Sequence, residues 1–261
     1  MGVAIRPELA RVTRAGRLRA AVDWSHPLAS RLQSCILADG RCGVVDLAKP
    51  RAGSSVATAL RSRGPSASTW SISAGLTTDL NFTSGFTAAC VVYVNQATNT
   101  GNPQIFGRFA YTNEATNAGW CITQNSGVFG TLLMNNNGFG SYLQTGSASS
   151  TVGVHTVGFS ADGTTKRIYV DGALDASTTS GNQTAATGSG AYVNALNASS
   201  QANGTEVLIG CVWSRVLSAA EMMLFHQDPL CLLKQRYILP PIVAPSAPVF
   251  NRGRMFAMFP P

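Results

Sequence analysis

Long apolar runs are missing from this sequence, and charged residues are scarce. No stretch approaches the roughly 20 uninterrupted apolar residues that cross a bilayer, which excludes a membrane-spanning helix. Arg6 to Arg19 occupy the place where a secretory signal would have its apolar core, so we expect a soluble protein made in the cytoplasm. Charged residues make up 12% of the chain, about half the usual share, while Gly, Ser, Thr, Asn and Ala are abundant. This composition predicts a β-rich fold with many turns.

The six cysteines and three histidines lack the spacing of a zinc site, because no C-x-x-C pair is present. The cysteines are predicted to be buried free thiols, except that Cys35 and Cys42 would close a short loop in an oxidising setting. The glycines follow turn spacing and form no Walker-type phosphate loop. The sequence therefore predicts neither a metal nor a nucleotide cofactor.

Basic residues are concentrated at the N-terminus. The net charge is +7, from 19 Lys and Arg against 12 Asp and Glu, and residues 1–63 alone hold eleven of the basic residues and four of the acidic ones. Residues 1–22 are predicted to form a basic arm that is solvated or bound to a partner. No aromatic stacking residues lie between its arginines, so nucleic acid is not the expected partner. The candidate docking residues in this arm are Arg6, Arg11, Arg14, Arg17 and Arg19.

The C-terminal segment, residues 232–261, is rich in both proline and large apolar residues. It holds six of the twelve prolines, which exclude a regular helix or a central strand. Its apolar groups argue against a freely solvated tail, so we predict an extended arm that lies on its own body or on a neighbouring subunit. The candidate docking residues in this arm are Ile238, Leu239, Ile242, Phe250, Phe256 and Phe259.

The strongest local signal lies between Val154 and Ser177, which are predicted to form a three-stranded meander. Apolar residues alternate with smaller or polar ones before and after Asp162-Gly163, and again before Asp171-Gly172. Asp-Gly is typical of two-residue hairpin loops, which need positive φ at both central positions. We therefore predict a hairpin turn at each pair.

Further strand signals recur about every ten residues, as in a sandwich or jelly roll. Residues 86–94 are predicted to form a central strand that is covered on both faces. Residues 49–69 are predicted to be a loop, and residues 177–204 a long loop or an irregular edge. The apolar residues Leu28, Leu32 and Ile36 mark a candidate first strand. The other predicted strands are residues 104–111, 119–124, 128–134, 139–143 and 206–215.

A short helix is predicted after the last strand. Ser218 and Glu221 have the spacing of a capping box, and Leu217 and Met222 have the spacing of a hydrophobic staple. Asp228-Pro229 is predicted to end the helix.

Three segments, in order, resemble the laminin-G-like and concanavalin-A-like lectin superfamily in the version found in bacteriophage structural proteins. They are Gly85 to Val94 (GFTAACVVYV), His155 to Leu174 (HTVGFSADGTTKRIYVDGAL) and Val207 to Pro229 (VLIGCVWSRVLSAAEMMLFHQDP). A weaker likeness to the lead-in of phage versions lies at residues 24–28. The resemblance covers residues 85–229 best. It implies an all-β fold, an antiparallel jelly-roll β-sandwich with one short C-terminal helix, here spanning residues 23–231 between the two arms.

The resemblance does not imply an enzyme here. Glycoside hydrolases of this fold place two carboxylates on one strand in a Glu-x-Asp-x-x-Glu pattern, and none of the four glutamates lies in such a pattern. Counting residues does not exclude a Ser, His and Asp triad. However, His26, His155 and His226 have no nucleophile motif near them, and His155 is predicted to be structural.

Relatives often bind calcium and glycans near one rim of a sheet. The calcium candidates are Asp79, Asp162 and Asp171, and the aromatic residues that would stack on sugars are Tyr111, Trp120 and Tyr142. Asp162 and Asp171 are sufficiently explained as turn residues, and each aromatic residue also fits a core or edge position. No metal or glycan site is assigned on this basis.

We therefore expect a non-enzymatic virion structural protein of a bacteriophage, a capsid-decoration or head-fibre subunit. Its arms would dock on capsid or other virion proteins, or on sister copies in a homo-oligomer. The alternative is a glycan- or receptor-binding module of a tail fibre that recognises host-surface glycans. The expected location is the virion, with no membrane partner.

Overall fold

The structure is a computed structural model that describes residues 20–39, 43–49, 55–56, 70–72, 80–94, 104–110, 118–125, 127–135, 143–180, 184–185, 191–193 and 205–235. These residues contain a short 3-10 turn, Pro27–Ala29, and the helix α1, Ala219–Gln227. The strands are β1 Ala20–Val22, β2 Leu32–Asp39, β3 Gly43–Asp46, β4 Ser55–Val56, β5 Trp70–Ile72, β6 Phe86–Val94, β7 Gln104–Ala110, β8 Ala118–Asn125, β9 Val128–Asn135, β10 Leu143–Ser149, β11 Gly153–Ala161, β12 Lys166–Val170, β13 Ala173–Thr178, β14 Ala191–Val193, β15 Thr205–Trp213 and β16 Leu233–Gln235.

Two antiparallel seven-stranded sheets pack face to face. The first has the order β10-β9-β8-β7-β14-β5-β4, the second has the order β13-β12-β11-β6-β15-β2-β3, and β1 pairs with β16 separately. Their facing sides form one apolar core, in which Phe86 of the second sheet packs against Trp120 of the first sheet and against Phe159 of its own sheet. The predicted all-β antiparallel sandwich with one short C-terminal helix is confirmed.

The centre of the second sheet is buried on both faces. Along β6, Phe86 and Cys90 point into the core between the sheets, while Ala89 and Val91 point into a second apolar cluster on the outer side. The helix α1 packs on this outer side. It lies so close to β11 that a Cβ atom on Gly158 would be only 2.0 Å from Cε of Met222. Because both faces of β6 are covered, its sequence is apolar apart from Thr87, whose hydroxyl accepts a hydrogen bond from the Leu217 backbone, and the predicted central strand is confirmed.

The predicted meander forms β11, β12 and β13. Its second turn is the two-residue loop that Asp-Gly predicts, since Val170 pairs with Ala173. Asp171 has a φ of 49° and Gly172 a φ of 80°, and positive values at both positions define a type I′ turn.

The first turn of the meander differs from the prediction. Ala161 pairs with Lys166, so the loop holds four residues and not two. Oδ1 of Asp162 accepts hydrogen bonds from the backbone N–H groups of Thr164 at 2.8 Å and Thr165 at 2.7 Å. Asp162 is therefore a turn residue as expected, but its carboxylate organises a longer loop.

The helix begins and ends where the sequence predicts. The Ser218 hydroxyl accepts a hydrogen bond from the Glu221 backbone, and the Glu221 carboxylate accepts one from the Ser218 backbone at 2.8 Å. Leu217 and Met222, the two residues of the predicted staple, are both buried in the outer cluster. Asp228 is the C-terminal cap, so Asp228-Pro229 ends the helix as expected.

Several short strands escape the sequence prediction. Residues 191–193, predicted as loop or edge, form β14 in the interior of the first sheet, between β7 and β5. Residues 55–56, predicted as loop, form β4, and residues 70–72 form β5. The strand predicted over residues 139–143 is described only at Leu143, where the polar strand β10 begins. These strands are short or polar, so hydrophobic periodicity does not reveal them.

The sandwich is closed along one edge by a carboxylate that joins the two sheets. Asp175 on β13 accepts hydrogen bonds from the backbone N–H of Ser147 at 2.8 Å and of Ala148 at 3.0 Å, both on β10. The Ser147 hydroxyl donates a third bond at 2.5 Å. A side chain at Gly146 would collide with this carboxylate.

Candidate functional site

The predicted docking residues of both arms lie outside the described residues. These are Arg6, Arg11, Arg14, Arg17, Arg19, Ile238, Leu239, Ile242, Phe250, Phe256 and Phe259. The structure describes residues 20–24 and 232–235, next to the two predicted arms, and we call these residues the arm base. The predicted boundaries between the arms and the sandwich, at 22/23 and 231/232, therefore stay predictions. The paired strands β1 and β16 lie next to these two boundaries.

The arm base is a two-stranded ribbon fixed to the outer cluster. Ala20 pairs with Gln235, and Val22 pairs with Leu233 in antiparallel register. The backbone N–H of Asp23 donates to the carbonyl of Leu232 at 2.7 Å. Val22 and Leu232 are buried in the cluster beneath α1. Residues 20 and 235 are therefore neighbours, and the described chain ends at both of them.

A tryptophan is exposed at the arm base. The side chain of Trp24 is 57% exposed, in a turn that Asp23 stabilises by accepting hydrogen bonds from the backbone and hydroxyl of Ser25. Lys234 on β16 lies 3.6 Å from the same carboxylate. Hydrogen bonds from Ser25 and the nearby Lys234 ammonium together hold the pKa of Asp23 below its usual value. The exposed ring directly follows this stabilised carboxylate in the sequence, and tryptophan is enriched in recognition surfaces.

A second polar cluster lies where the meander meets the helix. Nδ1 of His155 lies 3.0 Å from Oδ2 of Asp171, and Nε2 lies 3.0 Å from the Thr151 carbonyl and 3.2 Å from the Thr151 hydroxyl. Asp171 also accepts a hydrogen bond from the Thr156 backbone at 2.9 Å, and the Thr156 hydroxyl lies 3.2 Å from Nδ1 of His226 on α1. This cluster joins the turn after β12, the strand β11 and the helix.

The hydroxyl, imidazole and carboxylate of this cluster follow the order of a catalytic triad, but their contacts favour a structural role. A general base needs Nε2 of His155 free to take a proton from the hydroxyl. Here Nε2 faces the carbonyl oxygen of Thr151 at 3.0 Å, which only accepts hydrogen bonds. With acceptors on both ring nitrogens, the imidazole is best satisfied when it is charged. The hydrogen bond to Asp171 is the main cause that raises the pKa of His155.

The pKa of the partner carboxylate, Asp171, is lowered, whereas that of His155 is raised. Burial alone would raise the pKa of Asp171, but hydrogen bonds from His155 and the Thr156 backbone outweigh it and lower that pKa. The structural role expected for His155 and the turn role expected for Asp171 both agree with these contacts. His26 also has a structural position, because its Nδ1 accepts a hydrogen bond from the Leu28 backbone in the 3-10 turn.

The other candidates from the sequence do not come together into a site. Trp120 is 2% exposed and donates its indole N–H to the Leu80 carbonyl, so it is a core residue and cannot stack on a sugar. Asp162 binds Arg167 at 2.8 Å. No three His, Cys, Asp or Glu among the described residues form a metal-binding group. Asp79, Tyr111 and Tyr142 lie outside the described residues.

The carboxylates with described side chains are engaged in stabilising the backbone. Asp46 accepts hydrogen bonds from Cys35, Ala48 and Lys49, and Glu221 caps α1 while pairing with Arg215 at 2.7 Å. Asp23, Asp162, Asp171, Asp175 and Asp228 likewise each accept at least one backbone N–H.

Sequence reasoning did not find the arm base or the His155 cluster. Pairing of residues 20–22 with 233–235 joins segments more than 200 positions apart, and neither three-residue strand has a periodic pattern. In the sequence, Trp24 stands out only as part of the lead-in segment at residues 24–28. In the described part of the chain, no helix has the length and hydropathy needed to cross a bilayer.

Comparisons with known proteins agree on the fold. No protein-family model matches the chain, and no curated protein sequence matches it significantly. Among solved structures, Trypanosoma rangeli sialidase in complex with sialic acid has a TM-score of 0.55 at 11% identity, over 78% of this chain and 34% of the sialidase. The botulinum neurotoxin serotype G binding domain has a TM-score of 0.55 at 14% identity, over 76% of this chain and 51% of that domain.

A third solved structure is similar to this chain to the same degree. The binding domain of Paraclostridial mosquitocidal protein 1 has a TM-score of 0.54 at 12% identity, over 78% of this chain and 53% of that domain. The chain thus spans between about a third and about half of the length of these neighbours. At such identities the likeness is one of fold, and this chain shares the β-rich, lectin-like sandwich of these proteins.

Proposed function

We propose that this chain is a non-enzymatic structural protein of a bacteriophage virion, a capsid-decoration or head-fibre subunit. Its sandwich is displayed, and its two terminal arms bind capsid proteins or sister copies. The pairing of β1 with β16 is the observation that carries this proposal. Because Ala20 and Gln235 are paired, the two arms leave the sandwich at the same place. A partner that binds one arm is therefore close to the first residues of the other.

The three segments that resemble phage laminin-G-like proteins support the proposal. They correspond to β6, to the β11–β13 meander, and to β15 with α1. These five strands are consecutive in the second sheet, in the order β13-β12-β11-β6-β15. Segments far apart in sequence therefore form one contiguous half of the sandwich, as a shared domain requires.

The engagement of the carboxylates supports a non-enzymatic role. A glycoside hydrolase needs one carboxyl to give a proton and a second to act as base or nucleophile. Asp46, Asp171, Asp175 and Glu221 are each fixed by two or more hydrogen bonds to the protein. Carboxylates held in this way stabilise turns and edges and have little freedom for catalysis.

Truncations at the arm base test the docking role. Residues 1–19 and 236–261 should be deleted separately, because Val22 and Leu232 belong to the core and should be kept. We expect each truncated chain to keep the melting temperature of the sandwich but to be missing from purified particles. Full incorporation of both truncations would overturn the proposal.

A charge series separates electrostatic docking from specific docking. We expect replacement of the five N-terminal arginines by lysine to preserve incorporation, because the charge of the arm is unchanged. Replacement by glutamine removes the charge and should reduce incorporation. If the lysine and glutamine variants are equally incorporated, the arginines do not dock the arm.

A second candidate function is glycan or receptor binding by a tail-fibre module. The exposed Trp24 favours it, because an indole ring is a good platform for the apolar face of a sugar. The sialidase neighbour carries sialic acid in its solved structure. A glycan array with the full chain and with Trp24→Ala decides this: competable binding that the substitution abolishes supports the role, and no binding by either protein excludes it for the glycans tested.

A further inference from the structure

Two cysteines face each other in the outer cluster of the second sheet. Cys35 on β2 and Cys211 on β15 are register partners on neighbouring antiparallel strands. Their Sγ atoms lie 3.8 Å apart, and their side chains are 1% and 0% exposed. Both are free thiols. The sequence predicts buried free thiols and offers a Cys35–Cys42 pair only for an oxidising setting; Cys42 lies outside the described residues.

The backbone geometry places this pair at a position suited to a covalent bridge. The backbone N–H of Cys35 donates to Oδ1 of Asp46 at 3.0 Å, and its carbonyl accepts from the Leu47 N–H at 2.8 Å. Both groups therefore point away from β15, so Cys35 and Cys211 form a non-hydrogen-bonded pair. In such pairs the Cα atoms are only about 4.5 Å apart and the side chains are close, within the range that a disulfide spans.

We propose that Cys35 and Cys211 are a site of oxidative modification, where a disulfide forms when the protein meets a low-molecular-weight disulfide. The S–S bond forms as the two thiols lose two protons and two electrons, and the small disulfide is cleaved and reduced to two thiols. The Sγ atoms must approach from 3.8 Å to about 2.05 Å. The bridge would join the first long strand of the sandwich to its last, across 176 positions of sequence.

The surroundings make the reaction slow and specific. Burial raises the pKa of Cys211 well above its ordinary value, and the neighbouring Cys35 thiol adds to this effect. Because the thiolate is the reactive form, oxidation requires local opening of β2 and is faster at alkaline pH. Cys90 and Cys121 are also buried, and burial raises the pKa of each thiol, but they have no register partner that is a cysteine.

Incubation of the full wild-type chain with oxidised glutathione tests the proposal without any substitution. Peptide mass spectrometry under non-reducing conditions should find the Cys35–Cys211 crosslink, and thiol titration in denaturant should fall by two. The melting temperature of the oxidised chain should exceed that of the chain in dithiothreitol by roughly 10 °C, as expected for a bridge that closes so long a loop.

Matched variants identify the bridge. Cys42→Ser should retain the crosslink and the thermal shift, whereas Cys211→Ala should lose both. If Cys211→Ala does not fold, the wild-type crosslink map decides alone. A Cys35–Cys42 crosslink, or six free thiols after prolonged incubation at about pH 8.5 where thiolates are more abundant, would overturn the proposal.

Discussion

Asp171→Asn is the substitution that most directly probes the polar cluster between the meander and the helix. Asn tolerates the positive φ of 49° at this turn position and still offers an oxygen to the Thr156 N–H. What it removes is the negative charge opposite His155. The fold, the turn and the side-chain volume are thus retained, and the ion pair is lost.

The expected loss of stability follows from the geometry. A hydrogen bond between charged groups contributes about 1.5–3 kcal/mol where water is excluded. Here the Asp171 side chain is 42% exposed and that of His155 is 12% exposed. Solvent screening reduces the contribution to about 1 kcal/mol.

The pKa shifts of the two residues determine how the stabilisation by this ion pair depends on pH. The raised pKa of His155 gives stability that is fully present below the ordinary histidine value of 6.5 and is lost as pH rises through the higher folded pKa. The lowered pKa of Asp171 gives stability that is present above 3.8 and is lost as pH falls through the lower folded pKa. The pair therefore contributes most between about pH 4 and 6.5.

Urea unfolding of the wild-type and Asp171→Asn proteins at about pH 5.5 and 8.5 measures this effect. We expect a loss of about 1 kcal/mol at the lower pH and a smaller loss at the higher pH. Asp162→Asn is the matched control in the other turn, because its partner Arg167 stays charged throughout and its effect should not change with pH. Equal losses for Asp171→Asn at both pH values would refute the charged-histidine interpretation.

Three further substitutions test the packing of the sandwich. Ser218→Ala removes the helix cap and should cost about 1 kcal/mol in the free energy of unfolding, whereas Ser218→Asp should cost much less; equal losses would contradict the cap. Asp175→Ala breaks the link between β10 and β13 and should cost about 1–2 kcal/mol, with unchanged stability as the contrary result. Lys166 lies in β12 and is 1% exposed. Burial lowers its pKa, so Lys166→Met should stabilise the protein by about 1–2 kcal/mol at neutral pH and by less at alkaline pH, as the pH rises through the lowered pKa of the wild-type lysine. Thermal unfolding across this pH range measures the difference, and a destabilised methionine variant would contradict it.

Local chemistry made the second sheet predictable from the sequence. The apolar run of β6, the Asp-Gly turns and the Ser218 capping box each depend on contacts within a few residues, or on burial of a whole strand. The predicted length of the first loop of the meander is wrong, because the Asp162 side chain, and not the backbone alone, organises the loop. A short-range pattern identifies such a turn but does not fix the number of its residues.

The candidate sites depend on contacts across the chain, which no local pattern encodes. The polar strand β10 is held in part by Asp175 from the other sheet, and the short strand β14 lies between β5 and β7 of the first sheet. Cys35 meets Cys211 and β1 meets β16 only after the sandwich closes. For the same reason Trp120, a stacking candidate by residue type, is a core residue in the structure.

The location and orientation of the chain in an intact particle test the central claim most directly. A cryo-electron microscopy map of particles purified from cells that express the chain would show the sandwich and its point of attachment. We predict that the sandwich projects from the particle with residues 20 and 235, the paired ends of the arm base, facing the particle wall. Particles that lack the chain, or a sandwich attached through a surface remote from these residues, would contradict the proposed role.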